Sequence, residues 1–313
     1  MCRVKYFICP MSKNVVDSVL ELGSDLIGLL PSRRQIDFNG GYVNHWNTKS
    51  FVGYVNNSSR VIIERDHAGI NQGEGDEYES YREDSNYMNI IHIDPWKKFD
   101  GLEDGLKETL KNINFISELN RKVKFEVGTE QTIRKFDVYE FNYLLSELKI
   151  ELPKLIFSNI IYACIQSGVS LDVVNQKNTG DFNLYKLRTM IKVCRNFDIL
   201  SKEHNGDYLS PNDIRLRFSE GLNTINIGPE IVQLETETYL DHMNKEEIDD
   251  FYKICLESQT WKKWVDEDFD TSNKEKLIMV CGHYNFSKYN LPRINDVVKD
   301  RIKNKLQQLL TYV

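Results

Sequence analysis

Short runs of branched and aromatic residues recur along the chain, and longer stretches with helical spacing of apolar positions separate them. That alternation is the pattern of repeated strand–helix units. Eight runs read as strands: residues 25–32 (DLIGLLPS), 60–66 (RVIIERD), 89–94 (NIIHID), 123–128 (VKFEVG), 159–167 (NIIYACIQS), 198–204 (DILSKEH), 224–228 (TINIG) and 276–282 (KLIMVCG). Helical periods fall over residues 102–119, 132–149, 180–196, 211–220 and 292–311. Ser210-Pro211 marks one helix start, because serine satisfies an orphan amide and proline suits the first turn.

The strands are almost continuously apolar, as strands covered on both faces must be. Eight such units in 313 residues predict a single (β/α)8 barrel, a TIM barrel spanning residues 1–313. The open doubly wound sheet is the alternative, but no GxGxxG follows the first strand. Two segments interrupt the alternation. Residues 70–88 are polar and Gly-containing where a helix is due, and read as a lid loop or a solvated surface loop. Residues 245–272 read as a helical insertion before the eighth strand.

Composition narrows the function classes. The formal net charge is −7, so no cationic excess draws the chain to nucleic acid. No apolar run approaches the roughly 18 residues of a membrane span. The opening MCRVKYFICPMSKN lacks a signal peptide's pattern, so a cytoplasmic protein with no membrane partner is expected. Six cysteines without CxxC spacing (Cys2, Cys9, Cys164, Cys194, Cys255, Cys281) are expected to be reduced.

A barrel carries its chemistry at the C-terminal ends of its strands, and these ends are unusually polar. His67, His92, His204 and His283, four of the six histidines, fall there. Two imidazoles meeting carboxylates on one mouth make a divalent-cation site, with zinc the natural choice. Asp66, beside His67, is placed to move a proton; the plainer alternative is a salt bridge to Arg65 or another arginine. The turns HNGD and NIGPE put Gly206, Asp207, Gly228 and Glu230 where barrels hold phosphate on backbone amides, or are simply tight turns. Arg33, Arg34 and Gln35 end the first expected strand, where the arginines either clamp a second anion or are surface cations.

The segments RRQIDFNGGYV, ERDHAG, IIHID, EVGTE, KEHNGDYLSP and INIGPE, in this order over residues 27–230, resemble the tagatose-bisphosphate aldolase accessory-subunit family, the tagatose-6-phosphate kinase-like proteins. More distantly they are similar to class II ketose-bisphosphate aldolases. The resemblance implies a zinc-dependent barrel that joins dihydroxyacetone phosphate to an aldehyde, reversibly. It implies Asp66 as the proton-transfer group, His67 and His204 as ligands, Gly206 near phosphate, and Asn226 and Gly228 on substrate. Where the catalytic aldolases have a histidine after Gly-Thr, this chain has Glu130. Glu130 or Glu126 is then the third ligand; with Glu130 in that role, Glu126 is a second catalytic carboxylate. The same constellation serves a ketose 4-epimerase that cleaves and rejoins one bond, and an accessory subunit without turnover. The expected partners are a phosphorylated sugar and either a second copy of the chain or another aldolase subunit.

Overall fold

The computed structural model of the protein describes residues 3–57 and 61–313. Cys2 and Arg60, the first residue of the expected second strand, lie outside them. The chain opens with β1 (Tyr6–Ile8), α1 (Lys13–Leu22), β2 (Ile27–Leu29), α2 (Thr48–Asn56), β3 (Glu64–Ala68), α3 (Glu77–Tyr87), β4 (Ile90–Ile93) and α4 (Leu102–Leu119). Next come β5 (Lys124–Gly128), α5 (Val138–Glu151), the single turn α6 (Lys154–Phe157) and β6 (Ile160–Ile165). A small hairpin of β7 (Leu171–Asp172) and β8 (Lys177–Asn178) precedes α7 (Leu184–Asn196), β9 (Leu200–Glu203), α8 (Pro211–Ser219) and β10 (Thr224–Ile227). Four helices finish the chain: α9 (Pro229–His242), α10 (Lys245–Ser258), α11 (Lys274–Cys281) and α12 (Pro292–Leu310).

Eight strands, all but the hairpin pair, form one parallel sheet in which each lies beside the next of the set. β1 pairs with β10, and the bridges Leu29–Ile63 and Ser32–Asp66 join β2 to β3, so the sheet closes into the expected barrel. The enclosed apolar layer is formed by Val4, Phe7, Leu30, Ile90 and Tyr162. Gly28 makes room for it: a Cβ there would sit 2.4 Å from the Phe7 ring.

Two expectations are corrected. Residues 276–282 do not form a strand; they lie in α11 and the turn after it. Asn273 caps that helix by accepting from the Lys276 amide, and Leu277, Ile278, Val280 and Cys281 bury a helical stripe. The missing barrel strand is β1, whose residues Tyr6, Phe7 and Ile8 are all fully buried. Residues 245–272 therefore follow the last strand rather than precede the eighth, and His283 lies in a 3-10 turn, not at a strand end.

The stretch 70–88 also differs from a plain loop. Asp76 caps α3 by accepting from the amides of Tyr78 and Glu79, so only the residues before Glu77 remain irregular. α12 returns to pack on α1 and α9, where the Tyr6 hydroxyl donates to the Leu309 carbonyl at 3.0 Å. The five described cysteines are free thiols. Among the described residues, no helix is long and apolar enough to cross a membrane.

Candidate functional site

Alternation along β3 directs Glu64 and Asp66 into the barrel and Arg65 out, where Arg65 grips Asp84 with two 2.8 Å hydrogen bonds. His67 would then point away from the mouth with Arg65. It does not, because the register with β4 shifts between Arg65 and Ala68, and His67 takes a left-handed φ of 45°. Such a bulge re-aims a side chain, and a non-glycine residue in this region is held there by its surroundings. Two adjacent residues thus face the same mouth.

The result is a triangle of imidazoles. The ring centroids of His67 and His92 are 5.0 Å apart, those of His67 and His204 5.1 Å, and those of His92 and His204 5.0 Å. Each ring turns one nitrogen toward Asp66 Oδ1: His67 Nε2 at 3.6 Å, His92 Nδ1 at 3.9 Å and His204 Nδ1 at 4.0 Å. The opposite nitrogens are all engaged. His67 Nδ1 bonds to Asp94, His92 Nε2 to the Gly128 carbonyl at 3.0 Å, and His204 Nε2 to Glu126 at 3.0 Å. An acceptor on the far nitrogen fixes each ring so that its near nitrogen faces inward. That of His92 also accepts from the His67 amide at 3.4 Å.

Asp66 Oδ1 is buried and has no hydrogen-bond partner among the described residues. One donor atom from each of Asp66, His67, His92 and His204 lies within 4.8 Å of the other three. An orphaned carboxylate oxygen facing three imidazole nitrogens fits a divalent cation of the zinc type, which takes nitrogen and oxygen donors together. The field agrees. Burial works against a charge on His67, yet Asp66, Asp94 and Glu130 outweigh it and lift its pKa to about 10. Burial likewise opposes ionisation of Asp66, but His67, His92 and His204 hold its carboxyl well below the usual range. The pocket favours positive charge at its centre.

Beneath the triangle runs a buried charge chain. Lys202 Nζ, fully enclosed, donates to Glu64 and to Glu126 at 2.7 Å each, and sits 4.3 Å from the Phe7 ring centroid. Burial opposes ionisation of Glu126, but Lys202, His92 and His204 keep it ionised. Burial raises the pKa of Glu64 beyond what Lys202 offsets, with the charge of Glu126 adding to the rise. Glu126 therefore lies below the mouth, between Lys202 and His204, rather than on the cavity wall.

The other expected residues separate into groups. Glu130 lines the mouth; its Oε2 accepts from Asn205 at 2.6 Å and is 4.0 Å from His67 Nε2, outside the four-residue cluster. Arg33 is buried, paired with Asp37 at 2.8 Å and bonded to the carbonyls of Gly69, Gly75 and Asp76, so it straps a loop. Arg34 and Gln35 line the mouth cavity, a space of about 350 Å³ that also touches Asp66, His67 and Glu130. At the expected phosphate turns, Asp207 Oδ1 accepts from the amides of Gly228 and Glu230 at 2.8 Å each, so these two donors are satisfied within the chain. Gly206 packs where a Cβ would meet Ile225 Cγ2 at 2.1 Å. Glu230 accepts from the Tyr208 amide and pairs with Lys305. Asn226, only 4% exposed, has both side-chain polar atoms unpartnered among the described residues. It lies one residue beyond the Ile225–Glu203 pair, level with His204, on the interior face it shares with Phe7.

Residue type and strand end mark His92 and Asp94 in the sequence without giving either a role, and nothing in the sequence marks Lys202. The roles of Asp94 and Lys202 depend on depth inside the barrel, which periodicity does not give.

No family model matches the sequence, and no curated protein matches it. Solved structures do resemble the fold. A probable tagatose 6 phosphate kinase from Sinorhizobium meliloti aligns with a TM-score of 0.72 at 12% identity, over 96% of this chain and 86% of that one. A fructose-bisphosphate aldolase from Campylobacter jejuni gives 0.64 at 14% identity, over 99% and 89%. A fructuronate-tagaturonate epimerase from Cohnella laeviribosi gives 0.58 at 9% identity, over 99% and 79%. At these identities the likeness is one of fold, the (β/α)8 barrel, and function has to be argued from the site.

Proposed function

We propose that this chain is a metal-dependent enzyme of the class II aldolase type, which cleaves or forms a carbon–carbon bond beside the carbonyl of a phosphorylated ketose. The observation that carries the reading is the convergence of three imidazole nitrogens on the orphaned Asp66 oxygen, each ring fixed from behind by an acceptor. His67, His92 and His204 would hold the cation, with zinc the best match to the donors. Held there, a divalent cation would polarise a carbonyl and lower the energy of negative charge developing next to it.

The chain's own residues supply the rest. Asp66 lines the cavity and is held ionised, so it is the group that takes the proton from the hydroxyl on the carbon whose bond breaks, and returns it in the reverse direction. Glu126 and Asp94 hold the rings of His204 and His67 so that their other nitrogens face the site. Asn226 offers an unpartnered donor and acceptor level with His204 for a substrate oxygen. Glu130 at the rim, already bonded to Asn205 and Thr132, orients what enters rather than serving as a ligand.

The test is a screen of phosphorylated ketoses with purified, zinc-reconstituted protein, reading the triose phosphate product. Turnover that requires metal and disappears in His67→Ala supports the reading; full activity of that variant without metal overturns it. A ketose 4-epimerase is the second reading, favoured by a mouth cavity partly walled by Tyr42, Trp264 and Tyr284, which would retain both fragments. It predicts an isomeric ketose and no free triose in the same assay.

A further inference from the structure

A cavity of about 340 Å³ lies among the helices, walled by the start of α1, the middle of α9, the first turns of α12 and the turn that carries His283. That volume is within the roughly 300–1,000 Å³ of small-molecule sites. The cavity is separate from the mouth, although Met11 lines both. The His283 ring packs 4.1 Å from Tyr284 and 5.9 Å from Tyr42, two residues of the mouth wall.

His283 lines this cavity and is only 3% exposed, yet neither of its ring nitrogens has a hydrogen-bond partner among the described residues. Burial, and then the charge of Lys263, lower its pKa to about 3. The imidazole is therefore neutral, with one N–H to donate and one lone pair to fill. Buried polar groups left in this state are rare and ask for a partner.

The charges on the wall select against an ion. Lys13 pairs with Asp17 at 2.6 Å, and Lys299 with Glu21 at 2.8 Å and Asp296 at 3.4 Å. Glu235 accepts from Ser12 and, at 2.8 Å, from Asn14, and burial raises its pKa to about 7, so at neutral pH it is about half protonated. An ionic ligand finds no full opposite charge left unpaired among the described residues. What the wall offers instead is the neutral imidazole, the side-chain amides of Asn44 and Asn290, and apolar surface from Val43 and Phe286. A hydroxyl donates and accepts in one group, so several hydroxyls on a short carbon skeleton answer the imidazole and the amides together, and the skeleton's C–H face suits the apolar surface.

We infer that this cavity is a second ligand site, distinct from the metal centre, which binds an uncharged polyhydroxyl compound, a free sugar or a linear polyol, with His283 as its buried hydrogen-bonding group. The inference goes beyond the proposed function and does not rest on it. A ligand bonded to His283 presses on the back of the mouth wall through Tyr284 and Tyr42. The same ring lies 6.5 Å from that of Trp264, so occupancy is read in tryptophan fluorescence.

The test titrates fructose, mannitol and gluconate, followed by calorimetry and fluorescence, into wild-type protein and three variants. His283→Phe keeps an aromatic ring but removes both nitrogens, and loss of two hydrogen bonds is expected to weaken binding about tenfold or more. Asn44→Ala/Asn290→Ala trims two exposed residues at the rim, where the fold is not at stake, and should weaken binding severalfold. His67→Ala should bind as the wild type does. Preference for fructose assigns a sugar and preference for mannitol a linear polyol; either, when weakened in His283→Phe or in the rim variant, supports the site. No binding of either compound by the wild type, wild-type affinity in both of those variants, gluconate bound as tightly as mannitol, or loss of binding in His67→Ala overturns it. Failure of the ketose screen would leave these binding results untouched.

Discussion

His67 and His92 are 25 residues apart in the chain, yet their rings lie 5.0 Å apart and each presents a nitrogen to the same oxygen of Asp66. Adjacency of β3 and β4 brings the backbones together, but only the bulge at His67 turns its ring inward. The ligand set this creates is three imidazoles, with Glu130 at the rim.

That difference can be read by metal content. His92→Ala is expected to lose bound zinc by more than the roughly 10–100-fold that removing an outer partner costs, and Asp94→Asn to fall within that range. Glu130→Gln should retain about one ion per chain. Elemental analysis after dialysis against a weak chelator distinguishes the variants. Zinc retained in His92→Ala and lost in Glu130→Gln would restore the carboxylate ligand expected from the sequence.

Lys202 is fully buried between Glu64 and the ionised Glu126, so its removal strands the Glu126 charge in the barrel interior. Lys202→Met is expected to destabilise the fold by about 3–5 kcal/mol, the usual result of breaking a buried ion pair from one side. Urea unfolding measures it. A loss below about 1 kcal/mol would show that Glu126 sheds its charge without cost.

A pH dependence follows from Glu235, which is 1% exposed, bonded to Ser12 and Asn14, and raised by burial from 4.5 to about 7. The folded chain binds this proton more tightly than the unfolded chain does. Its contribution to stability is therefore present at low pH and is lost as pH rises from about 4.5 to about 7, by on the order of 3 kcal/mol. Thermal unfolding should show Glu235→Gln gaining on the wild type between pH 5 and pH 8. Parallel curves for the two proteins would mean that Glu235 is already ionised at pH 5.

Much of the barrel was legible because parallel strands covered on both faces are apolar runs of strand length, as in residues 89–94 and 159–167. β1 escaped because three residues give no measurable period, and 276–282 misled because an eight-residue apolar helix looks like a buried strand without its Asn273 cap. At the site, Asp66, His67 and His204 were readable from residue type and strand end. The aromatic wall of the mouth was not, because Tyr42 and Tyr284 meet only once the C-terminal part of the chain folds back over it. Asp207 shows a further limit: an acidic residue in a phosphate-like turn can fill the anion's place itself.

The most direct measurement is zinc X-ray absorption on the reconstituted protein, which counts and identifies the scatterers around the ion. Three imidazole nitrogens at about 2.0–2.1 Å are expected, with the remaining positions filled by oxygen. A sulfur shell at about 2.3 Å, the signature of Cys164 entering with Glu126 and His204, or fewer than two imidazoles, would contradict a cation held by His67, His92 and His204.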